Sequence, residues 1–196
     1  DYIDPMFHSR VLGAKSRNLD TFFTDEETTR YLMKRGAEDT DISVVEGVMG
    51  YYDGLGGIDT KASAYDLAAV TGTPAVLVVD TRGMSLSALA EIKGFLTYKK
   101  ESHIEGVILN RMSPMLYPEI KKQIEEELGI RVFGYVPKIT ELNLESRHLG
   151  LVLPDEVKEL SEKFDHLAEI LEKSLDIDGL IGLAKEAEAL ECSEEE

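Results

Sequence analysis

Residues 74–110, PAVLVVDTRGMSLSALAEIKGFLTYKKESHIEGVILN, decide the fold. Ala75, Val76, Leu77, Val78 and Val79 form an unbroken apolar run stopped by Asp80, and Val107, Ile108 and Leu109 form another stopped by Asn110. Between them Leu89, Ile92 and Leu96 recur every three or four residues, the period of a helix with one buried face. Continuous rather than alternating apolar character means that each strand is covered on both faces. Two such strands joined through a helix predict a parallel pair in an α/β sheet.

The same alternation extends in both directions. Downstream, Leu116, Ile120, Ile124 and Leu128 give a four-residue spacing with Lys121, Lys122, Glu125 and Glu126 outside it, and the run at 132–136 ends at Pro137. Upstream, Ala64, Leu67, Ala68 and Val70 mark a helix, and the short run Ile42, Ser43, Val44, Val45 before Glu46 predicts a buried strand. Thr24 followed by Glu27 fits a capping box that opens a helix through Tyr31, Leu32 and Met33 to about Gly36. Residues 1–24, with Asp4-Pro5 and Gly13, read as loop-rich. The expectation is a three-layer α/β domain with a mainly parallel sheet of at least four strands over residues 1–153.

Beyond Pro154 the pattern changes. Val157, Leu160, Phe164, Leu167 and Leu171 recur as an amphipathic helix, and Ile177, Leu180 and Leu183 as a weaker one. Residues 154–196 are therefore expected to form a helical linker ending in an acidic tail. That segment holds fifteen acids against four bases, so most of the net charge of -17 resides there. A chain so acidic lacks the clustered cations that nucleic-acid phosphates require. No apolar stretch reaches the roughly 18 residues that a membrane span needs. The single cysteine, Cys192, cannot form an internal disulfide, which fits a cytoplasmic protein, and its place in an acidic tail without a neighbouring histidine gives it the reading of an inert thiol.

In an open parallel sheet, ligands bind beyond the carboxyl ends of the strands, so the polar residue after each run is a candidate: Glu46, Asp80, Asn110 and Pro137. Glu46 lies in VVEGVMGYYDG, followed by Gly47, Gly50 and Gly54. A carboxylate beside glycines that let a ligand approach the backbone suits a magnesium ion, which takes one or two carboxylates plus phosphate oxygens and water. Asp53 sits in the same loop. Asp80 has a blander reading, as the cap of a helix starting near Met84.

Several stretches in register, DYIDP, FHSRVLGAKSRNLD, VVEGVMGYYDG, PAVLVVDTRGMSLSA, GVILNRMSP and VFGYVPKITELNLESRHLGLV, closely resemble the cobyrinic (hydrogenobyrinic) acid a,c-diamide synthase family across residues 1–153. More distantly the strand ends resemble dethiobiotin synthetase and MinD-like ATPases. The resemblance implies a phosphate-binding-loop NTPase fold of the dethiobiotin synthetase type, followed by a glutaminase domain. It implies an amidoligase that spends ATP, with magnesium, to activate the a and c carboxylates of cobyrinic acid or a related tetrapyrrole in cobalamin biosynthesis, and takes ammonia from glutamine. By motif match, Glu46 is implied as magnesium ligand and catalytic residue, with Asp53 and Asp1 as further acids around the activated carboxylate. Tyr2 and Ile3 complete the first motif. Asn110 is implied to read the adenine edge, with Pro137 flanking the base. Arg147 and His148, in RHLGL, match a family signature to which the residues themselves assign no role; a cation pair there suits substrate carboxylates, as do local cations such as Arg10, Lys15, Arg17 and Arg82.

The departures carry expectations too. No G-x-x-x-x-G-K-S/T occurs in this chain, so its phosphate cradle and first strand are expected to be missing and the chain inactive by itself. A sheet with unpaired strand edges is expected to self-associate. The competing class is a MinD/ParA-type nucleotide-binding interaction module, which DYIDP and RHLGL disfavour.

Overall fold

A computed structural model describes residues 3–139 and 154–192, with the backbone alone for Ile3 and residues 154–159. The described residues fall into two compact units, one from segments 3–18, 139 and 154–174, the other from 19–138 and 175–192. In the first, α1 (Ile3–Val11) meets α6 (Pro154–Ser174) through Phe7 and Phe164, whose rings lie edge to face at 5.8 Å. The expected loop at the N-terminus is thus partly helix. Pro5 lies in the first turn of α1, where its missing N–H costs nothing, and Phe7 finds an apolar partner more than 150 residues away that local pattern cannot reveal. The amphipathic pattern after Pro154 is α6, and the weaker one is α7 (Ile177–Glu186), which belongs to the second unit.

The second unit is built on a parallel sheet. Its strands are β1 (Ala75–Asp80), β2 (Ile104–Asn110) and β3 (Arg131–Val136), in spatial order β1-β2-β3. The crossovers are α4 (Ser87–Tyr98) and α5 (Tyr117–Leu128). The apolar runs become strands against a single layer formed by α4 and α5: Val107, Leu109 and Val132 on that face are inaccessible to solvent, as are Ile92 of α4 and Ile124 of α5, whereas Val78 on the opposite face of β1 is 60% exposed. Each such side chain contributes about 1.5–3 kcal/mol of transfer free energy. The four-residue spacing seen in sequence is the buried face of α5. Gly129 ends that helix at φ 66°, donating its N–H to the Glu125 carbonyl from a left-handed conformation that glycine adopts without strain.

Two expectations are corrected here. The sheet has three strands among the described residues, and residues 42–45 do not join it: they run in irregular, exposed backbone, with Val44 90% exposed. Strand preference is a preference for a pleated, half-buried surface, and this run has no ladder neighbour to supply one. The helix near Thr24 is α2 (Glu26–Ala37), but its cap is Asp25, whose carboxylate accepts from the Thr28 N–H at 2.8 Å. Thr24 instead donates to the Asp20 carbonyl. Two cap-competent residues stood side by side, and spacing alone does not choose between them.

The two sheet edges differ. Along β3, the Glu125 carboxylate accepts from the Val132 N–H, the Val132 carbonyl accepts from Lys121 Nζ at 2.9 Å, and the Phe133 carbonyl accepts from the Asp176 N–H at 2.7 Å. Asp176 also caps α7 by accepting from the Gly179 N–H and pairs with Arg131 at 2.8 Å. The Gly179 N–H chiefly, then the Arg131 guanidinium, hold the Asp176 carboxyl below its usual range. A depressed native pKa means that this support is complete above about pH 4 and is lost as pH falls through the lowered value. Protection factors at Gly179 and Leu180, referred to intrinsic exchange at each pH, should therefore fall on acidification below pH 4, and Asp176→Ala should show the lower protection already at neutral pH. Along β1 no strand pairs with the outer edge among the described residues, and Val78 there is 60% exposed.

Candidate functional site

The carboxyl ends of the three strands lie side by side. Asp80 is in register with Asn110, and Asn110 with Val136, which places Pro137 one residue beyond the same edge. Thr81, 2% exposed, fastens the first two ends: both its N–H and its hydroxyl donate to the Asn110 carbonyl, at 2.9 and 2.8 Å. The Met112 N–H donates to the Val136 carbonyl at 3.1 Å, fastening the second to the third. Between them Arg111 takes φ 59°, a conformation that a β-carbon disfavours and that reverses the chain. The half-buried Asn110 side chain has no hydrogen-bond partner among the described residues, so both its amide donor and its carbonyl remain for a ligand.

Asp80 does not cap a helix. Its carboxylate accepts from the Arg82 N–H at 3.1 Å and pairs with Arg111 at 3.5 Å, while α4 begins at Ser87 without any side-chain cap. The loop after β1 is long enough that an Asx turn closes before the helix starts. A cavity of about 360 Å³ opens beside these ends, bounded by Thr81, Ser85, Arg111, Ser113 and Leu116 among others.

The acids upstream are placed differently. Glu46 lies in the irregular, exposed segment rather than at a strand end. Gly47 passes so close to α3 (Ala64–Thr71) that a β-carbon there would come within 3.0 Å of the Ala64 methyl. Asp53 closes a tight turn, its N–H donating to the Gly50 carbonyl at 2.8 Å, and its carboxylate occupies the space that a Gly50 side chain would take. The loop is fixed by two phenols: Tyr51 donates to the Ser102 carbonyl and Tyr52 to the Phe95 carbonyl, both at 2.7 Å. Burial first, then the neighbouring phenols, pushes both hydroxyls to higher pKa, so they stay neutral donors. Asp53 lines a second cavity of about 490 Å³ with Tyr52, Phe95 and Tyr98. Phe95 and Tyr98 close α4, and Ser102 precedes β2, so this cavity faces the amino ends of the strands.

The structure thus gathers Asp80, Asn110 and Pro137 and sets Asp53 apart from them. Asp1, Tyr2, Arg147 and His148 lie outside the described residues, and of Ile3 only the backbone, in the first turn of α1, is described. Sequence reasoning passed over Thr81, Arg111 and Ser113, although Thr81 and Arg111 directly follow the strand-ending Asp80 and Asn110. Among the described residues no group of three or more His, Cys, Asp or Glu is arranged to hold a metal ion.

Known proteins extend this picture. The cobyrinate a,c-diamide synthase of Clostridium tetani is 42% identical over 185 residues, which is 94% of this chain and 41% of that protein. The cobyrinate a,c-diamide synthase of Thermoplasma volcanium is 42% identical over 192 residues, covering 97% and 41%. That of Methanocaldococcus jannaschii is 39% identical over 189 residues, covering 95% and 42%. The chain thus spans about two fifths of the length of the curated relatives that it matches. No solved structure matches it. The family model described as an AAA domain matches residues 15–146, about two thirds of the chain. The chain belongs to the AAA domain family, with cobyrinate a,c-diamide synthases among its homologues.

Proposed function

We propose that this chain is a segment of the ATP-dependent amidating part of a cobyrinate a,c-diamide synthase. The observation that carries the reading is about 40% identity to enzymes of that name over nearly the whole chain. The substrate is a tetrapyrrole bearing several carboxylates, and cobyrinic acid is the first choice. A carboxylate oxygen attacks the terminal phosphorus of ATP and ADP leaves. Ammonia, drawn from glutamine elsewhere in the full protein, then forms the C–N bond as phosphate departs from the acyl carbon. A cytoplasmic site fits this use of ATP and glutamine.

The protein's contribution to such a reaction is positioning and charge neutralisation. Asn110 reads the base edge with its unpartnered amide, and Pro137 flanks the base. Asp1, with Tyr2 and Ile3, orients the carboxylate to be activated, and Arg147 and His148 meet the remaining ones; Asp53, expected from the motif to join them, is set apart from Asn110 and Pro137 and is given no step here. Magnesium, bound with the nucleotide, would neutralise charge on the phosphates. The donor set fits an ion of that kind: Glu46 offers an exposed carboxylate, and the rest of its shell would be phosphate and water, whereas no cage of protein ligands occurs among the described residues.

Asn110→Ala removes the pair of hydrogen bonds to the base and should weaken nucleotide binding by about tenfold or more, measured by displacement of a fluorescent ATP analogue. This chain, with the outer edge of β1 unpaired among the described residues and no phosphate-binding loop in its sequence, should self-associate and release no phosphate from ATP. Light scattering and a phosphate-release assay check both. The route itself is tested with substrate carrying ¹⁸O in its carboxylates. Transfer of ¹⁸O to the released phosphate is expected, and phosphate free of label during amide formation would remove the phosphorylated carboxylate from the scheme.

A further inference from the structure

The cavity of about 490 Å³ at the amino ends of the strands takes no part in the reaction proposed above. Its inner wall is aromatic. Glu91, Phe95 and Tyr98 line it from one face of α4, four and three residues apart. Tyr52 packs against that face, its ring 4.9 Å from the Tyr98 ring and 6.0 Å from the Phe95 ring, nearly parallel to the latter. Gly94 keeps the space clear, since a β-carbon there would meet only open space. Ile58 and Tyr98 line the cavity and yet are 96% and 65% exposed, an apolar lip that an occupant would cover. The volume lies within the range of about 300–1,000 Å³ usual for small-molecule sites.

Three observations give the occupant its charge. Aromatic rings present negative faces, and this wall is built of them. The same ring cluster already holds one ammonium of the chain outside the cavity: Lys99 Nζ lies 5.7 Å from the centre of the Tyr98 ring and 5.8 Å from that of Tyr65. The rest of the charged lining is Asp53, Asp59 and Glu91, and among the described residues no lysine, arginine or histidine lines the space. Asp59 is partly engaged, accepting from the Lys61 N–H at 3.1 Å. The carboxylates of Asp53 and Glu91 have no hydrogen-bond or ion-pair partner among the described residues. Such a wall repels a polycarboxylate, so this cavity is separate from any place for the acid to be amidated.

We propose that this cavity binds an alkylguanidinium, with the planar head stacked on the Phe95 and Tyr98 rings, its N–H fork on the carboxylates of Asp53 and Glu91, and its stem under Ile58. A guanidinium suits these walls better than an ammonium: it is flat, stacks on aromatic faces, sheds water more readily and meets a carboxylate through two parallel hydrogen bonds. The group comes either as a free small molecule or as the side chain of an arginine in a peptide, and both present the same head and stem. The site is defined by binding alone and does not depend on the amidation reading.

The test is a titration of the chain with butylguanidinium and with blocked arginine (N-acetyl-arginine methylamide), read by saturation-transfer NMR of the probe at constant ionic strength. Saturable binding of at least one probe is expected. Tighter binding of blocked arginine assigns a peptide source, and equal or tighter binding of butylguanidinium assigns a free one. Butylurea, which has the same shape without the charge, should bind at least tenfold more weakly. Gly94→Leu fills the cavity from open space and leaves the net charge unchanged, so it should weaken the responding probe at least tenfold. Tyr98→Leu removes a stacking face from an exposed position and should weaken it severalfold; this variant decides the matter if Gly94→Leu loses the native circular dichroism spectrum. The proposal is overturned if neither probe binds saturably or if butylurea binds as tightly as butylguanidinium. It is equally overturned if a natively folded Gly94→Leu chain, or Tyr98→Leu in its place, binds as tightly as the parent, since the attraction would then be that of the acidic chain at large.

Discussion

If the proposed amidating role holds, Glu46→Gln in the full-length protein is expected to lower ATP-dependent amide formation by about a hundredfold or more, while binding of the tetrapyrrole should change little. The substitution keeps the volume and removes only the negative charge. If that charge helps to fix the metal that accompanies the phosphates, its loss is felt where charge is being redistributed, in turnover, and not where the large substrate makes its many other contacts. The exposed position of Glu46 makes the test clean: no core packing is disturbed, so a folded but inactive variant is the expected product. Turnover close to the parent value would remove Glu46 from the chemistry and leave its strand-like sequence without a function.

Phe133→Ala produces the largest expected loss of stability. The ring is 1% exposed and belongs to the third residue of β3, where the Arg131 guanidinium stacks on it at 4.7 Å and the β2 backbone at Gly106 leaves room only for hydrogen. A β-carbon on Gly106 would collide with the Phe133 ring. Truncating the ring therefore opens a cavity against β2 at Gly106, at a cost of about 3–5 kcal/mol, a large share of the 5–15 kcal/mol that ordinarily holds a domain. Gly106→Ala destabilises from the opposite direction by overpacking the same space, by about 1–3 kcal/mol. The two changes should couple: alanine at 106 costs less when 133 is already leucine, because the smaller side chain yields the volume. Urea denaturation of the single and double variants measures this. Additive effects would mean that the ring and the glycine do not share the space that the structure assigns to them.

The parallel sheet was legible in sequence because its signal is local and redundant. Residues 75–79, 107–109 and 132–136 are continuous apolar runs, and the four-residue spacing from Leu116 to Leu128 can be satisfied only by a helix against them. Residues 42–45 carry the same kind of signal and fail, since a four-residue run becomes a strand only when a neighbour offers a ladder, and that neighbour is a property of tertiary structure. Helix α1 was missed for a related reason: its packing against Phe164 joins residues far apart in sequence. Of the candidate site, the register of β1, β2 and β3 aligns Asp80, Asn110 and Pro137 because each ends a run and all runs point the same way. Arg111 escaped notice because its importance arises from a reversed backbone at φ 59°, which no pattern of hydrophobicity reports. Asp53 shares a loop with Glu46 in sequence, yet Tyr51 and Tyr52 tie that loop to the carbonyls of Ser102, just before β2, and Phe95, rather than to the carboxyl ends that carry Asp80 and Asn110.

The measurement that tests the central claim most directly is mass spectrometry of cobyrinic acid incubated with the full-length protein, ATP, magnesium and glutamine. The account predicts conversion of two carboxylates to amides, at the a and c positions, with one ADP and one phosphate released for each amide and no conversion when ATP is omitted. An unchanged substrate mass under these conditions, or amide formation that proceeds equally well without ATP, would contradict it.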